Sequence, residues 1–254
     1  MTRPEGKTAV ITGAAGSIGK QTARRLLSEG ANLALVDISS GALRLAAEEL
    51  GAGDRIMTIP ADVANEADVE GYITAAARRF GRIDILFNNA GIGGPRQHIA
   101  DVDIEAWQHV MDVDLKGILL GMKHALRIMY AQGSGSIINT ASQAGVFNQP
   151  GGAGYCIAKG AVIHLTKIAA VESGSHGVRV NCIMPGVVNS DMIRKSSPPG
   201  MDMEQMKTGM SKMVPLGRMA ELDDIADAVI YLASDKSRYI TGIELRVDGG
   251  SSIK

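Results

Sequence analysis

The stretch from Lys7 to Glu29 limits what this chain can fold into more than any other. Lys7-Thr8-Ala9-Val10-Ile11-Thr12 predicts a buried strand, Gly13-Ala14-Ala15-Gly16-Ser17-Ile18-Gly19 a tight turn, and a helical pattern follows through about Glu29. Glycines let a backbone turn sharply and approach a phosphate, and a helix that starts at once points its unpaired N–H groups at negative charge. A glycine-rich segment alone could be only a turn; the strand before it and the helix after it supply the context of a pyrophosphate cradle.

Size and composition suit that beginning. With 254 residues, 45% of them hydrophobic, the chain can build one sizeable core, and residues 1–254 are expected to form a single domain. Glycine is abundant at 31 residues while aromatics are only 4%, as expected for many tight turns around an aliphatic sheet. Lys and Arg number 26 against 27 acidic residues, which argues against a nucleic acid partner. No apolar run approaches the ~20 residues that span a bilayer, so no membrane partner is expected. Met1 to Gly6 leads into the first strand without an export signal, and a cytoplasmic location is expected. Cys156 and Cys182 have neither zinc nor disulfide spacing and are expected to be reduced and packed, with no metal site.

The next strand, Asn32 to Val36, ends at Asp37, eighteen residues beyond Gly19. A carboxylate at that spacing accepts hydrogen bonds from a ribose and repels a 2′-phosphate, which favours NAD over NADP. Alternatively, Asp37 caps the helix beginning near Ser39. Ser40 to Leu50 reads as that helix and Arg55 to Ile59 as the third strand, followed by Asp62-Val63. Asp62 could contact an adenine edge, cap a helix running from about Glu66 to Phe80, or do both. Ile83 to Phe87 is a short buried strand, and Asn88-Asn89-Ala90-Gly91 follows it. Of the two asparagines, Asn89 is the stronger candidate, either beside a cofactor or holding the turn by local hydrogen bonds.

Asp103 to Tyr130 reads as one long helix, with Trp107, Val110, Met111, Leu115, Leu119 and Met122 at helical spacing. Its remaining apolar surface could pack against a second subunit. The fifth strand, Ser136 to Ser142, places Ser142 at its carboxyl end, thirteen residues before Tyr155. Tyr155 and Lys159, four residues apart, share one helix face, so an ammonium can favour the phenolate of a side chain that ordinarily titrates near ~10. A strand from Val178 to Ile183 stops at Met184-Pro185-Gly186. From about 187 to 215 the chain changes character, with Met192, Met201, Met203, Met206, Met210 and Met213, and reads as a lid over an apolar substrate. A helix from Leu222 to Leu232 and a strand from Ile243 to Val247 finish the plan.

In order and in combination, Thr12-Gly13 to Gly19, Asn88-Asn89-Ala90-Gly91, Ser142 and Tyr155-Cys156-Ile157-Ala158-Lys159 resemble the short-chain dehydrogenase/reductase family, in its classical NAD(P)-dependent branch, over essentially the whole length. The resemblance implies an α/β Rossmann fold, a doubly wound seven-stranded parallel sheet flanked by helices, and a homotetramer. It also implies that Ser142, Tyr155 and Lys159 are catalytic, and that Pro185, Gly186, Val188 and Ser190 sit near the nicotinamide. Two positions depart from the family pattern. Ser17 replaces the middle glycine of the cofactor motif, with Gly16 just before it. Asp114 stands where the family has the Asn of its catalytic tetrad, in Val113-Asp114-Leu115-Lys116-Gly117. A backbone role survives that change, but a carboxylate near Lys159 opposes the ammonium field on the phenol and predicts an alkaline optimum for alcohol oxidation.

The expected reaction is NAD-dependent interconversion of a largely apolar, cyclic or aromatic, secondary alcohol and its ketone. Ser142 would position the substrate oxygen, Tyr155 exchange its proton, Lys159 hold the nicotinamide ribose, and Asp114 orient the proton's exit path. The alternatives are a 3-oxoacyl-thioester reductase, disfavoured by Asp37 and the balanced charge, and a non-catalytic nucleotide-binding scaffold, disfavoured by the intact Ser142, Tyr155 and Lys159.

Overall fold

Alternate residues of each apolar run face opposite directions, and here both directions lead into a core. In a computed structural model describing residues 5–51, 53–190 and 202–253, the strands are β1 (Thr8–Thr12), β2 (Asn32–Asp37), β3 (Ile56–Pro60), β4 (Ile85–Asn88), β5 (Gly135–Thr140), β6 (Val178–Pro185) and β7 (Glu244–Val247). They form one parallel seven-stranded sheet in the order β3-β2-β1-β4-β5-β6-β7. Val10, Ala34, Leu86, Ile137 and Val180 enter one buried cluster, while Ile11, Leu33, Phe87, Ile138 and Ile183 enter the other. This two-sided burial is why the strands read as nearly continuous apolar runs.

Helices cover both faces. On one side lie α1 (Ser17–Ser28), α2 (Ser40–Leu50) and the last helix, contributing Leu26, Leu43 and Ile225; on the other lie α3 (Glu66–Phe80), α5 (Gly117–Gln132) and α6 (Ala153–Ser173), contributing Tyr72, Met122 and Val162. The remaining helices are α4 (Ile104–Met111), α7 (Met203–Met213) and α8 (Leu222–Ala233). Full burial of one large aliphatic side chain contributes about 1.5–3 kcal/mol, whereas an exposed pair such as Arg44 with Glu48 adds ~0–1 kcal/mol. Packing of the two layers, not surface charge, therefore holds the helices down.

The expected helix from Asp103 to Tyr130 is helical without a gap from Ile104 to Gln132, but it carries a π-helical turn at Asp112–Lys116 between α4 and α5. A wider turn rotates everything after it about the helix axis, so Leu119, expected on the core face, is exposed, while Ile118, Met122, Ala125 and Met129 are buried. Asp62 does not cap α3. Asn65 does, accepting hydrogen bonds from Ala67 N and Asp68 N at 2.9 and 3.3 Å, because it occupies the last extended position before the helix. Asp62 instead accepts from Ala64 N at 2.8 Å and so braces the turn after β3. Ser39, not Asp37, caps α2.

The segment read as a lid has two parts among the described residues. Its start is anchored, with Val188 bridged to Ala220 and Asn189 N donating to Ala220 O at 2.9 Å. Its later part is α7, followed by the buried Val214. Met192 and Met201 lie outside the described residues. The continuous helix Ala153–His176 is long and apolar enough, by length and composition, to cross a membrane. Its Ala158, Val162, Thr166 and Ala169 are buried, and it packs along β6. A core position accounts for its apolar character.

Between the sheet and that helix runs a buried polar line that sequence reading did not single out. Asn88 Nδ2 donates to Asn139 Oδ1 at 2.9 Å, and Asn139 Nδ2 donates to Thr166 Oγ1 at 3.0 Å. It joins β4, β5 and α6 where their register sets the site. Replacing Asn139 by Ala removes both of these buried hydrogen bonds, and chemical denaturation is expected to show a loss of about 2 kcal/mol.

Candidate active site

β1 is the strand at which the sheet order reverses, since β2 and β3 lie to one side of it and β4 to β7 to the other. Ligands of open parallel sheets bind beyond the carboxyl ends of the strands at such a point. Gly13 leaves β1 with φ at 62°, and a Cβ there would stand 2.9 Å from Ala90 Cα, so glycine satisfies both the turn and the close approach of the loop after β4. Thr12 Oγ1 accepts hydrogen bonds from Asn89 N and Ala90 N at 2.9 and 3.1 Å. Asn89 Nδ2 donates to Thr12 O and Gly13 O at 3.1 and 3.3 Å. The Asn89 side chain thus staples the two turns together at the crevice rim, which is the turn-holding role.

α1 starts at Ser17 with Gly16 as its N-cap, no capping side chain and no acidic residue in the first turn. Its positive end is therefore not countered and suits an anionic group. Gly19 packs directly on Gly13 O, and Ile18 turns partly toward the core beneath. Asp37 lies between the glycine turn and α2, accepting from Ala15 N and Ser39 N at 3.1 Å each. Across the crevice mouth Asp62 is half-buried, and Val63 is buried against Gly117. Pro185 closes β6, Gly186 N donates to Val247 O at 3.1 Å, and Val188 and Ser190 are buried just beyond. A cradle of backbone N–H groups, a carboxylate at the end of β2 and a small-residue wall after β6 fit a nicotinamide dinucleotide.

The chemical centre is built on α6. Tyr155 is half-buried in its first turn, and Lys159 is 2% exposed one turn later. Lys159 Nζ donates to Thr140 O at 3.0 Å, pairs with Asp114 Oδ2 at 3.1 Å, and lies 5.6 Å from the centroid of the Tyr155 ring. Asp114 sits in the π-helical turn at 0% exposure, its Oδ1 accepting Ile92 N at 2.7 Å. Burial alone pushes the Lys159 ammonium toward losing its proton; attraction to Asp114, with a further contribution from Tyr155, outweighs it and raises the pKa above the ordinary lysine value. Ser142 is buried two residues beyond Thr140, its Oγ accepting Ala144 N at 3.1 Å. The short turn it caps, Gln143–Gly145, lies so close to α6 that a Cβ on Gly145 would stand 2.8 Å from Lys159 C.

Every residue expected from sequence to be catalytic is therefore at one end of the sheet, and the dinucleotide candidates surround them. Sequence reading missed Thr140, Ile92 and Gly145. The first two contribute only a carbonyl and an amide, which any side chain would supply, and Gly145 matters through a distance that spacing does not reveal. Both cysteines are free, and burial drives the Cys182 thiol up to about 12. Among the described residues no group of three His, Cys, Asp or Glu is placed to hold a metal ion.

Comparison with known proteins defines an oxidoreductase acting on CH–OH groups. Residues 13–252 match the family model described as enoyl-(acyl carrier protein) reductase. The chain is 38% identical to a cis-4-hydroxycyclohexanecarboxylate dehydrogenase of Sinomonas cyclohexanicum, over 96% of each chain. It is also 38% identical to a levodione reductase of Leifsonia aquatica, over 99% of this chain and 96% of that one. A levodione reductase crystal structure superposes with a TM-score of 0.91 at 38% identity, covering 98% of both chains. NAD+-bound xylitol dehydrogenase does so at 0.89 and 34% identity, covering 98% of this chain and 100% of the other. The protein belongs to the short-chain dehydrogenase/reductase family.

The raised Lys159 pKa fixes the sign of a pH effect. A group held protonated by the fold stabilises it fully below its unfolded pKa, about 10.4, and that contribution disappears as pH climbs through the higher folded value. Lys159→Met, which leaves Asp114 buried without a counter-charge, is expected to unfold about 3–5 kcal/mol more easily. Urea titrations should show that gap steady through neutral and mildly alkaline pH and narrowing only above about 10.4.

Proposed function

We propose that this protein is an NAD-dependent dehydrogenase that interconverts a largely apolar, cyclic secondary alcohol and its ketone. The observation that carries the reading is the buried Lys159, tied to Thr140 and Asp114 and placed behind Tyr155. A charged side chain buried there serves no packing purpose, and its place one helix turn from a phenol suits a site of proton exchange. When bound, the nicotinamide supplies the hydride acceptor for oxidation or the donor for reduction.

The chain's own residues handle the substrate oxygen and its proton. The Ser142 hydroxyl, fixed by Ala144 N, holds the oxygen at the carboxyl end of β5. Tyr155 Oη takes the hydroxyl proton in oxidation and returns it in reduction. Lys159 stays protonated and binds the ribose, and Asp114 keeps it in place. Gly13, Gly16, Ser17 and Gly19 cradle the pyrophosphate, Asp37 accepts the adenosine ribose, Asp62 and Val63 border the adenine, and Asn89, Ala90, Gly91, Pro185, Gly186, Val188 and Ser190 line the nicotinamide half.

Asp37 supports NAD over NADP, because a 2′-phosphate would meet its carboxylate. The names of the cyclohexanecarboxylate and levodione relatives support a cyclic substrate. An NADP-dependent thioester reductase is the second reading, favoured only by the description of the family model. Exposed Leu119 on α5 with Ile157, Ile168 and Val171 on α6 supports association of subunits through these helices, as a homotetramer. Two free thiols support a reducing, cytoplasmic location.

Tyr155→Phe is expected to lower kcat for oxidation of a cyclic secondary alcohol about 10²–10⁴-fold, with NAD binding retained in a fluorescence titration. Wild-type turnover in that variant sinks the mechanism. With the same alcohol, kcat/KM is expected to favour NAD over NADP, and Asp37→Ala to narrow the difference; a native preference for NADP overturns the cofactor assignment.

A further inference from the structure

The ammonium of Lys159 has two charged or titratable neighbours in the described structure, and they oppose each other's use of it. Tyr155 profits from a cation as a phenolate, while Asp114 already holds that cation at 3.1 Å. The pair is sealed. Asp114 is 0% exposed and anchored through Oδ1 to Ile92 N, and a Cβ on Gly91 would stand 3.2 Å from both Asp114 Oδ2 and Lys159 Nζ.

The other elements packed around Lys159 add no compensating charge. Strand β5 contributes the Thr140 carbonyl, and the Gln143–Gly145 turn and Asn88–Pro95 carry no ionisable side chain. On the π-helical turn Asp112 pairs with Lys116 at 2.9 Å on the half-exposed side. Glu105 and His109 of α4 are exposed. Farther along α6 the next cation, Lys167, faces Glu244 at 3.7 Å. Seen from the phenol, Lys159 and Asp114 therefore act together as a short dipole of no net charge rather than as a free cation.

We propose that Asp114 is a positioning residue that sets the pH dependence of the reaction: by pairing with Lys159 in place it takes up the positive charge that would otherwise assist proton acceptance by Tyr155. This rests on the dehydrogenase reading above.

Asp114→Asn tests the proposal, because the amide keeps an oxygen for Ile92 N and loses only the charge. Asp114→Ser is carried in parallel so that failure of one variant to fold leaves the other to decide. Ultraviolet titration of phenolate absorbance in the cofactor-free proteins, each referenced to its Tyr155→Phe counterpart, isolates Tyr155. Its midpoint is expected to fall by about 1–3 pH units on loss of the carboxylate, and Asp114→Glu to restore it toward wild type. The acid limb of kcat/KM for NAD-dependent oxidation of cyclohexanol is expected to move the same way. An unchanged or higher phenolate midpoint in a folded Asn or Ser variant overturns the proposal. A lowered midpoint without turnover of any secondary alcohol by the wild type overturns the dehydrogenase reading and leaves the role of Asp114 standing.

Discussion

The interaction on which this structure depends is the burial of one lysine. An ammonium taken out of water loses hydration worth several kcal/mol even after the protein relaxes around it, and nothing in an aliphatic core returns that energy. Lys159 is tolerated because three elements converge on it: β5 offers the Thr140 carbonyl, the π-helical turn offers Asp114, and α6 carries the lysine itself. Each must be in register for the charge to be satisfied. A requirement of the chemistry is thereby also a requirement of the fold, and the end of the sheet where they meet becomes its most constrained region.

The supports around that point are polar and short-range. Asn139 links β4 to α6 through Asn88 and Thr166, Thr12 and Asn89 lock the loop after β4 to the glycine turn, and Gly145 lets the turn under Ser142 lie against the helix backbone. Apolar layers on both faces supply most of the stability, yet they are forgiving about orientation. Directional hydrogen bonds at the strand ends are not. They hold Ser142, Tyr155 and Lys159 in one arrangement while the layers hold the sheet together.

Much of this was legible in the chain. Continuous apolar strands separated by amphipathic helices prescribe a parallel sheet covered on both sides, and the glycine turn before α1 with Asp37 at the end of β2 marks the crevice proposed for a dinucleotide. Errors fell where local periodicity is blind to long-range partners. Asp103 to Tyr130 has an unbroken helical pattern, but Asp114 turns inward to reach Ile92 N and Lys159, and the wider turn moves Leu119 to the surface. Asp62 was a candidate cap of α3, but Asn65 takes that place, because backbone geometry at the boundary decides which short polar residue caps.

The sequence by itself determined the class of fold and marked the candidate site residues, since these follow from residue type, spacing and order along the chain. The family resemblance suggested a carboxylate near Lys159, and tertiary structure supplied the direct, buried contact between them. Lys159 and Asp114 are forty-five residues apart, and no local pattern says that they touch. That contact arises because the π-helical turn packs against α6, and at 3.1 Å in a buried site it holds the proton on Lys159.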